Sequence, residues 1–410
     1  MAAIVFYFHV HQPYRIKPYG LFSIGEDRSY FDGHNIDRLN NRKILQKVAG
    51  KCYLPVNGIL LELLKKIDDF KVSFSISGVV LDQFSEFAPE VLDSFRALAA
   101  TGKVEFLSET YYHSLAFLYS RDEFARQVEK HRKKIKELFG YETKAFRNTE
   151  LIYNNEVAAE AERLGFDTIL AEGVERYLGW KSPNFVYRPK GTKKIKLLLK
   201  NYKLSDDIAF RFSERSWSEW PLTSEKYAQW INAINGNGYL VNLFMDYETF
   251  GEHQWEDTGI FDFMRALPFE LKKHPDNTFV TVSEAAESFP PQDEIDMPDL
   301  TSWADLERDL SAWLSNAMQQ NAAYSLFDLE KKVINSGDDG LIEDWRRLTT
   351  SDHFYYMCTK WFADGDVHKY FSPNESPYEA YVHYMNVLHD MRQRVYDIKE
   401  PNLTRSTAHE

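Results

Sequence analysis

Cysteine is nearly absent: Cys52 and Cys358 are the only two in 410 residues, too few for a disulfide framework or a thiolate-rich metal site. The expectation is two reduced, buried thiols. Positive charge is also in deficit. Lys plus Arg number 49 against 62 Asp plus Glu, and the resulting charge of −13 repels a phosphate backbone or an anionic lipid surface. Nucleic acid and membrane are therefore excluded as expected partners. No apolar run approaches the roughly 20 residues of a membrane span. The start, Met-Ala-Ala-Ile-Val-Phe-Tyr-Phe-His, lacks a basic leader. A cytoplasmic protein is expected. Neither an internal repeat nor a low-complexity segment occurs.

Aromatic side chains are plentiful, with 29 Phe, 24 Tyr and 9 Trp, enough to fill a large core and leave rings over for a ligand cleft. Short β-branched and aromatic runs alternate with amphipathic stretches through the first two-thirds of the chain, the pattern of βα units around a parallel sheet. Strands are expected near 3–10, 72–77, 104–109, 144–150, 168–172, 195–202, 240–247 and 278–282, with helices over 89–101, 121–139 and 154–165. Seven or eight such units fit a closed or nearly closed barrel better than an open sheet.

The texture changes near residue 290, where Pro290, Pro291, Gln292, Asp293 and Glu294 form a polar breaker. Beyond it Trp303, Leu306, Leu310, Trp313, Leu314 and Ala317 recur at three- and four-residue spacing and predict a helix from Trp303. Similar patterns cover 340–363 and 376–397, and the tail after Pro401 is expected to fray. The predicted division is a barrel over 1–290 and a helical domain over 291–410.

Candidate chemistry gathers at predicted strand ends. His9 and His11, two apart on the first strand, project to one face as metal ligands, donors to sugar hydroxyls or hydrogen-bonded core residues. Glu150 closes Thr-Lys-Ala-Phe-Arg-Asn-Thr-Glu at the edge where barrel enzymes carry catalytic groups; taken alone, a carboxylate there is more often a cap or an ion-pair partner. Asp246 ends the apolar strand Leu-Val-Asn-Leu-Phe-Met-Asp, and Glu248 and Glu252 follow within seven residues. Such crowding and burial displace carboxyl pKa values, which is how a proton donor stays protonated near neutrality. Glycoside hydrolysis requires two carboxyl groups across the bond, roughly 5–5.5 Å apart in retaining enzymes. Trp217 and Trp220, in a polar stretch, either stack on sugar rings or pack a loop core. Trp180, Trp255 and Trp303 are core or cleft residues without preference.

Five segments then occur in order. His9-Val10-His11-Gln12-Pro13 resembles the opening motif of glycoside hydrolase family 57, and Gly102-Lys103-Val104-Glu105-Phe106 is similar to its second. Phe146-Arg147-Asn148-Thr149-Glu150 stands in the place of the third, Asp246 to His253 resembles the fourth, and Ser351-Asp352-His353-Phe354-Tyr355-Tyr356 the fifth. The resemblance implies a distorted (β/α)7 TIM-like barrel with a C-terminal helical region reaching the cleft. It further implies a retaining α-amylase-like hydrolase of α-1,4-glucans or malto-oligosaccharides. Glu150 would be the nucleophile and Asp246 the acid/base, with His9, His11, Glu105, His253, Asp352 and Tyr355 binding substrate. No metal or organic cofactor is needed, because carboxylates supply both proton and nucleophile. Two departures bear on acceptor choice: Asn148-Thr149 stands where many members carry Trp-Leu-Pro, and His253 and Tyr355 stand where some carry Trp. A 4-α-glucanotransferase or branching enzyme is the alternative within the family. A metal-dependent deacetylase-like hydrolase using His9 and His11, or a non-catalytic glucan-binding protein, are the alternatives outside it.

Overall fold

The computed structural model describes residues 2–360 and 367–399; the expected frayed tail and the end of the 340–363 pattern lie outside them. Ten strands are described: β1 (Ala2–Val10), β2 (Val72–Ile76), β3 (Val104–Phe106), β4 (Ala145–Phe146), β5 (Thr168–Glu172), β6 (Val186–Pro189), β7 (Lys196–Lys200), β8 (Leu240–Asp246), β9 (Asn277–Phe279) and β10 (Glu294–Ile295). All eight expected strands are present. The short β6 and β10 were not expected, since neither has an apolar alternation long enough to register.

β1 is the hub. It pairs in parallel with β8 from Ala3 to His9, with β2 from Tyr7 to Val10, and with β9 from Ala2 to Ile4. β3 extends this sheet beside β2, while β4, β5 and β7 form the other side with β6 antiparallel to β7. Two seams close the ring. Ser108 bridges Phe146 where β3 runs on beside β4, and between β7 and β8 the Asn201 amide donates to Asn242 O at 2.9 Å while Asn242 Nδ2 donates to Leu199 O at 2.8 Å. The circuit β1-β2-β3-β4-β5-β7-β8 is thus a distorted (β/α)7 barrel.

Both faces of β1 are buried, as a parallel strand covered by helices outside and side chains inside requires. Ala3, Val5 and Tyr7 point into the interior with Leu107, Leu170, Leu198 and Phe244. Val282, Ala285 and Ala286, from the helix Val282–Ser288, join that cluster. The helices expected at 89–101, 121–139 and 154–165 are Pro89–Ala99, Arg121–Phe139 and Asn155–Arg163. Asn154 caps the last of these by accepting from the Val157 amide at 3.0 Å.

The chain does not divide by a single cut at 290. One compact unit comprises the residues through Gln12, Leu45–Tyr111 and Ala125–Trp303; the other comprises Pro13–Ile44, Tyr112–Phe124 and the chain from Ala304 on. Polar side chains explain why the early segments belong to the second unit. Tyr30 donates to Asp390, Gly25 N donates to the same carboxylate at 2.6 Å, and Arg346 pairs with buried Glu123 at 2.8 Å. The helix expected from Trp303 is also absent. Asp305 and Arg308 have positive φ values of 55° and 51°, incompatible with a right-handed helix. Helices begin instead at Ser311–Leu314 and, behind an Asn316/Gln319 capping box, at Ala317–Asp328.

Candidate active site

β8 and β1 run in register so that Asp246 stands beside His9. His9 Nδ1 lies 3.4 Å from Asp246 Oδ1; the imidazole side chain is 3% exposed and the carboxylate side chain 43%. The interior alternation of β1 brings His11 to the same face, its ring 5.9 Å from that of His9 and inclined by 20°. His11 Nδ1 is fixed 2.7 Å from the Ser77 hydroxyl.

Glu150 follows β4 by four residues, and its own backbone is left-handed, with φ 58° and ψ 23°. A non-glycine residue held there stores about 1–3 kcal/mol and needs an over-determining environment. That environment comes from the segment after β10. Tyr153 and Thr301 exchange backbone hydrogen bonds of 3.0 and 2.8 Å, and the Trp303 amide donates to Glu150 O at 3.3 Å. The Trp303 indole then donates from Nε1 to Glu150 Oε2 at 2.8 Å. Since the Trp303 ring lies 6.2 Å from the His9 ring, Glu150, Trp303, His9 and Asp246 form one continuous row.

Beneath this row lies a floor of buried charged side chains. Glu109 Oε1 and Arg147 Nη1 are each 3.4 Å from His9 Nε2. The Arg147 guanidinium sits 4.8 Å and the Lys200 ammonium 5.7 Å from the Trp303 ring, while Lys200 also pairs with Asp206 at 2.8 Å and Glu172 at 3.3 Å. Lys200 is held by its two carboxylates as a buried ion requires, and two cations flank the indole that holds Glu150. His131 supports the end of β3 as a neutral imidazole: burial lowers its pKa, Nδ1 accepts from the Glu109 amide at 3.4 Å, and Nε2 lies 2.8 Å from Ile76 O. Burial and the nearby Asp246 charge push Glu248 up to about 8.

The expected site residues separate into four groups. Glu150, Asp246, His9 and His11 are brought together as described. His253 follows on the turn after Asp246, its amide donating to Glu248 O at 3.0 Å and its imidazole pKa lowered by burial. Asp352 and Tyr355 belong to the second unit, on the helix Ser351–Tyr355, where the Tyr355 ring stacks 4.3 Å from that of His368. Glu105 has a different task from sugar contact. It is 1% exposed, level with Ser73 and Tyr7 one interior layer below His9, and it accepts from Ser73 Oγ at 2.9 Å and from the Ser283 amide at 3.1 Å and hydroxyl. The acid that reaches His9 is Glu109, three residues beyond the end of β3. Of the tryptophans, Trp220 is 43% exposed, whereas Trp217 is half-buried against Trp230, ring centroids 6.1 Å apart.

The sequence model of glycosyl hydrolase family 57 matches residues 5–298. The chain belongs to this family. A Methanocaldococcus jannaschii protein provisionally named an alpha-amylase is 45% identical over 97% of this chain and 85% of its own length. Among solved structures, a branching enzyme from Pyrococcus horikoshii superimposes with a TM-score of 0.71 at 14% identity, covering 99% of this chain and 92% of that one. The 4-alpha-glucanotransferase of Thermococcus litoralis gives 0.59 at 18% identity over 90% of this chain, which spans only 54% of that protein. As a family 57 glycoside hydrolase, the protein has Glu150, His9 and Asp246 inside the matched region, with Trp303 just beyond its end. Among the described residues no helix is long and apolar enough to cross a membrane.

Proposed function

We propose that the protein is a retaining, α-amylase-like hydrolase of α-1,4-glucans, with Glu150 as nucleophile and Asp246 as acid/base. The observation that carries this reading is the row itself. Two partly exposed carboxylates at strand ends, linked through His9 and Trp303, stand over a floor whose other charges are buried. Glu150 attacks the anomeric carbon while protonated Asp246 donates to the departing glycosidic oxygen, leaving a covalent glycosyl-enzyme. Asp246, now a base, takes a proton from water as its oxygen attacks the same carbon, and Glu150 departs with net retention. His9 and His11 hold hydroxyls of the reacting sugar, and His253 lines the cleft near Asp246. Asp352 and Tyr355 enter as substrate contacts on the motif resemblance alone. A cytoplasmic location belongs to the same proposal, supported by two buried free thiols.

Incubation with maltoheptaose, beside the variant Glu150→Gln, tests it. Shorter oligosaccharides with rising reducing ends are expected, lost by roughly three orders of magnitude or more in the variant while its circular dichroism is unchanged. Longer and shorter products without new reducing ends would instead make the protein a glucanotransferase. Substantial turnover by the variant would remove Glu150 from the mechanism.

A further inference from the structure

Asp246 ends a strand, yet the loop that follows it is fastened from outside the barrel by an irregular helix turn. The helix entering at Val48 continues through a π-helical turn, Ala49–Tyr53, into Leu54–Lys66. Such a turn adds a residue to the helical repeat, rotates the side chains that follow, and recurs at functional sites. Here it aims several consecutive groups at the loop. The Cys52 thiol lies 3.2 Å from Tyr247 O, the Tyr53 hydroxyl donates to Glu248 Oε1, and Lys51 lies 4.8 Å over the Trp255 ring. Lys47, one turn earlier, pairs with Glu252. Gly251 closes the contact: with φ +109°, it sits so near Lys51 O that an added Cβ would stand 2.0 Å away. Glu248 is the node, since its Oε1 also accepts the His11 amide of β1 at 3.3 Å.

We propose that Glu248 and Tyr53 are positioning residues for Asp246, tying the end of β8 to the end of β1 and to the π-turn so that the Asp246 carboxylate meets His9 in one orientation. The proposal rests on the assignment of Asp246 as proton donor. Glu248 performs this task as a neutral acid. It is 5% exposed, and burial, the largest cause, outweighs the Tyr53 hydrogen bond and raises it to about 8. The other groups that face it do not neutralise an anion. Tyr247, Cys52 and Tyr53 are themselves raised by burial, Glu252 is engaged by Lys47, and His11 contributes only its backbone amide. A neutral amide of the same shape can accept the same two donors.

Three variants and one spectrum test this. Glu248→Gln keeps kcat within a few-fold of the parent near pH 6.5, whereas Glu248→Ala and Tyr53→Phe lower kcat on maltoheptaose by roughly tenfold or more with KM little changed, as loss of orientation alone does. Infrared spectra of the unliganded parent minus those of Glu248→Gln show the carbonyl band of a protonated carboxylic acid at neutral pH, lost as pH rises through about 8. A Gln variant as impaired as the Ala variant at pH 6.5 overturns the proposal. So does a wild-type protein without that band, or a Tyr53→Phe variant that changes KM and leaves kcat alone. If Asp246→Asn hydrolyses glucan normally, the catalytic assignment has failed instead, and the spectrum still reports on Glu248 independently.

Discussion

Trp303 shows how a single side chain is assigned differently by pattern and by packing. Its three- and four-residue spacing with Leu306 and Leu310 places it on a helix face, but in the structure Leu306 is 87% exposed and the indole points to Glu150 Oε2. A hydrogen bond to a charged group is worth about 1.5–3 kcal/mol. Trp303→Phe keeps an aromatic ring for Arg147 and Lys200 but removes the N–H together with the five-membered ring. It should lower kcat by roughly tenfold to a hundredfold. Steady-state rates check this, and an unchanged kcat would reduce the indole to packing. Glu150 and Asp246 were legible as residues because strand ends concentrate chemistry. Glu109 was not, because the expected strand over 104–109 ends at Phe106 and leaves Glu109 on the chain beyond it, beside His9.

At the scale of elements, strands and capped helices were readable because each rests on a local rule. β8 is an unbroken apolar run, and Asn154 stands at the N-terminus of its helix. The π-turn Ala49–Tyr53 follows no such rule, since its reason is the loop it grips. Gly251→Ala tests that grip. The left-handed φ and the 2.0 Å approach to Lys51 O should cost at least about 1–3 kcal/mol, and the displaced loop should lower kcat more than it raises KM. Denaturant unfolding and rates on one preparation measure both effects, and unchanged stability would mean that the π-turn does not bear on the loop.

For the whole molecule, pH connects the helical unit to stability. Burial alone would lower the His368 imidazole, but the Asp305 carboxylate 3.1 Å away outweighs it and pushes His368 to about 9, well above an unfolded value of roughly 6.5. The folded state thus binds the proton more tightly, so the pair's contribution is complete below the unfolded value and is lost as pH rises through about 9. His368→Gln should melt several degrees below the parent at pH 6, with the gap closing by pH 10; scanning calorimetry at the two pH values decides it. Glu248 carries the opposite chemistry with the same sign. An acid raised to about 8 favours the folded state below its unfolded value near 4.3, and this contribution declines as pH climbs to about 8. The sequence by itself determined the barrel's strands, the helical C-terminal texture and the two strand-end carboxylates, because hydrophobic period, caps and strand termini are local properties. Only the tertiary structure decided which buried charges lie under those carboxylates, that Trp303 holds one and the π-turn fastens the loop of the other, and that Pro13–Ile44 belongs with the chain beyond Ala304. Each of these joins residues far apart in the chain, and no periodicity within a segment encodes which distant partner will satisfy a buried polar group.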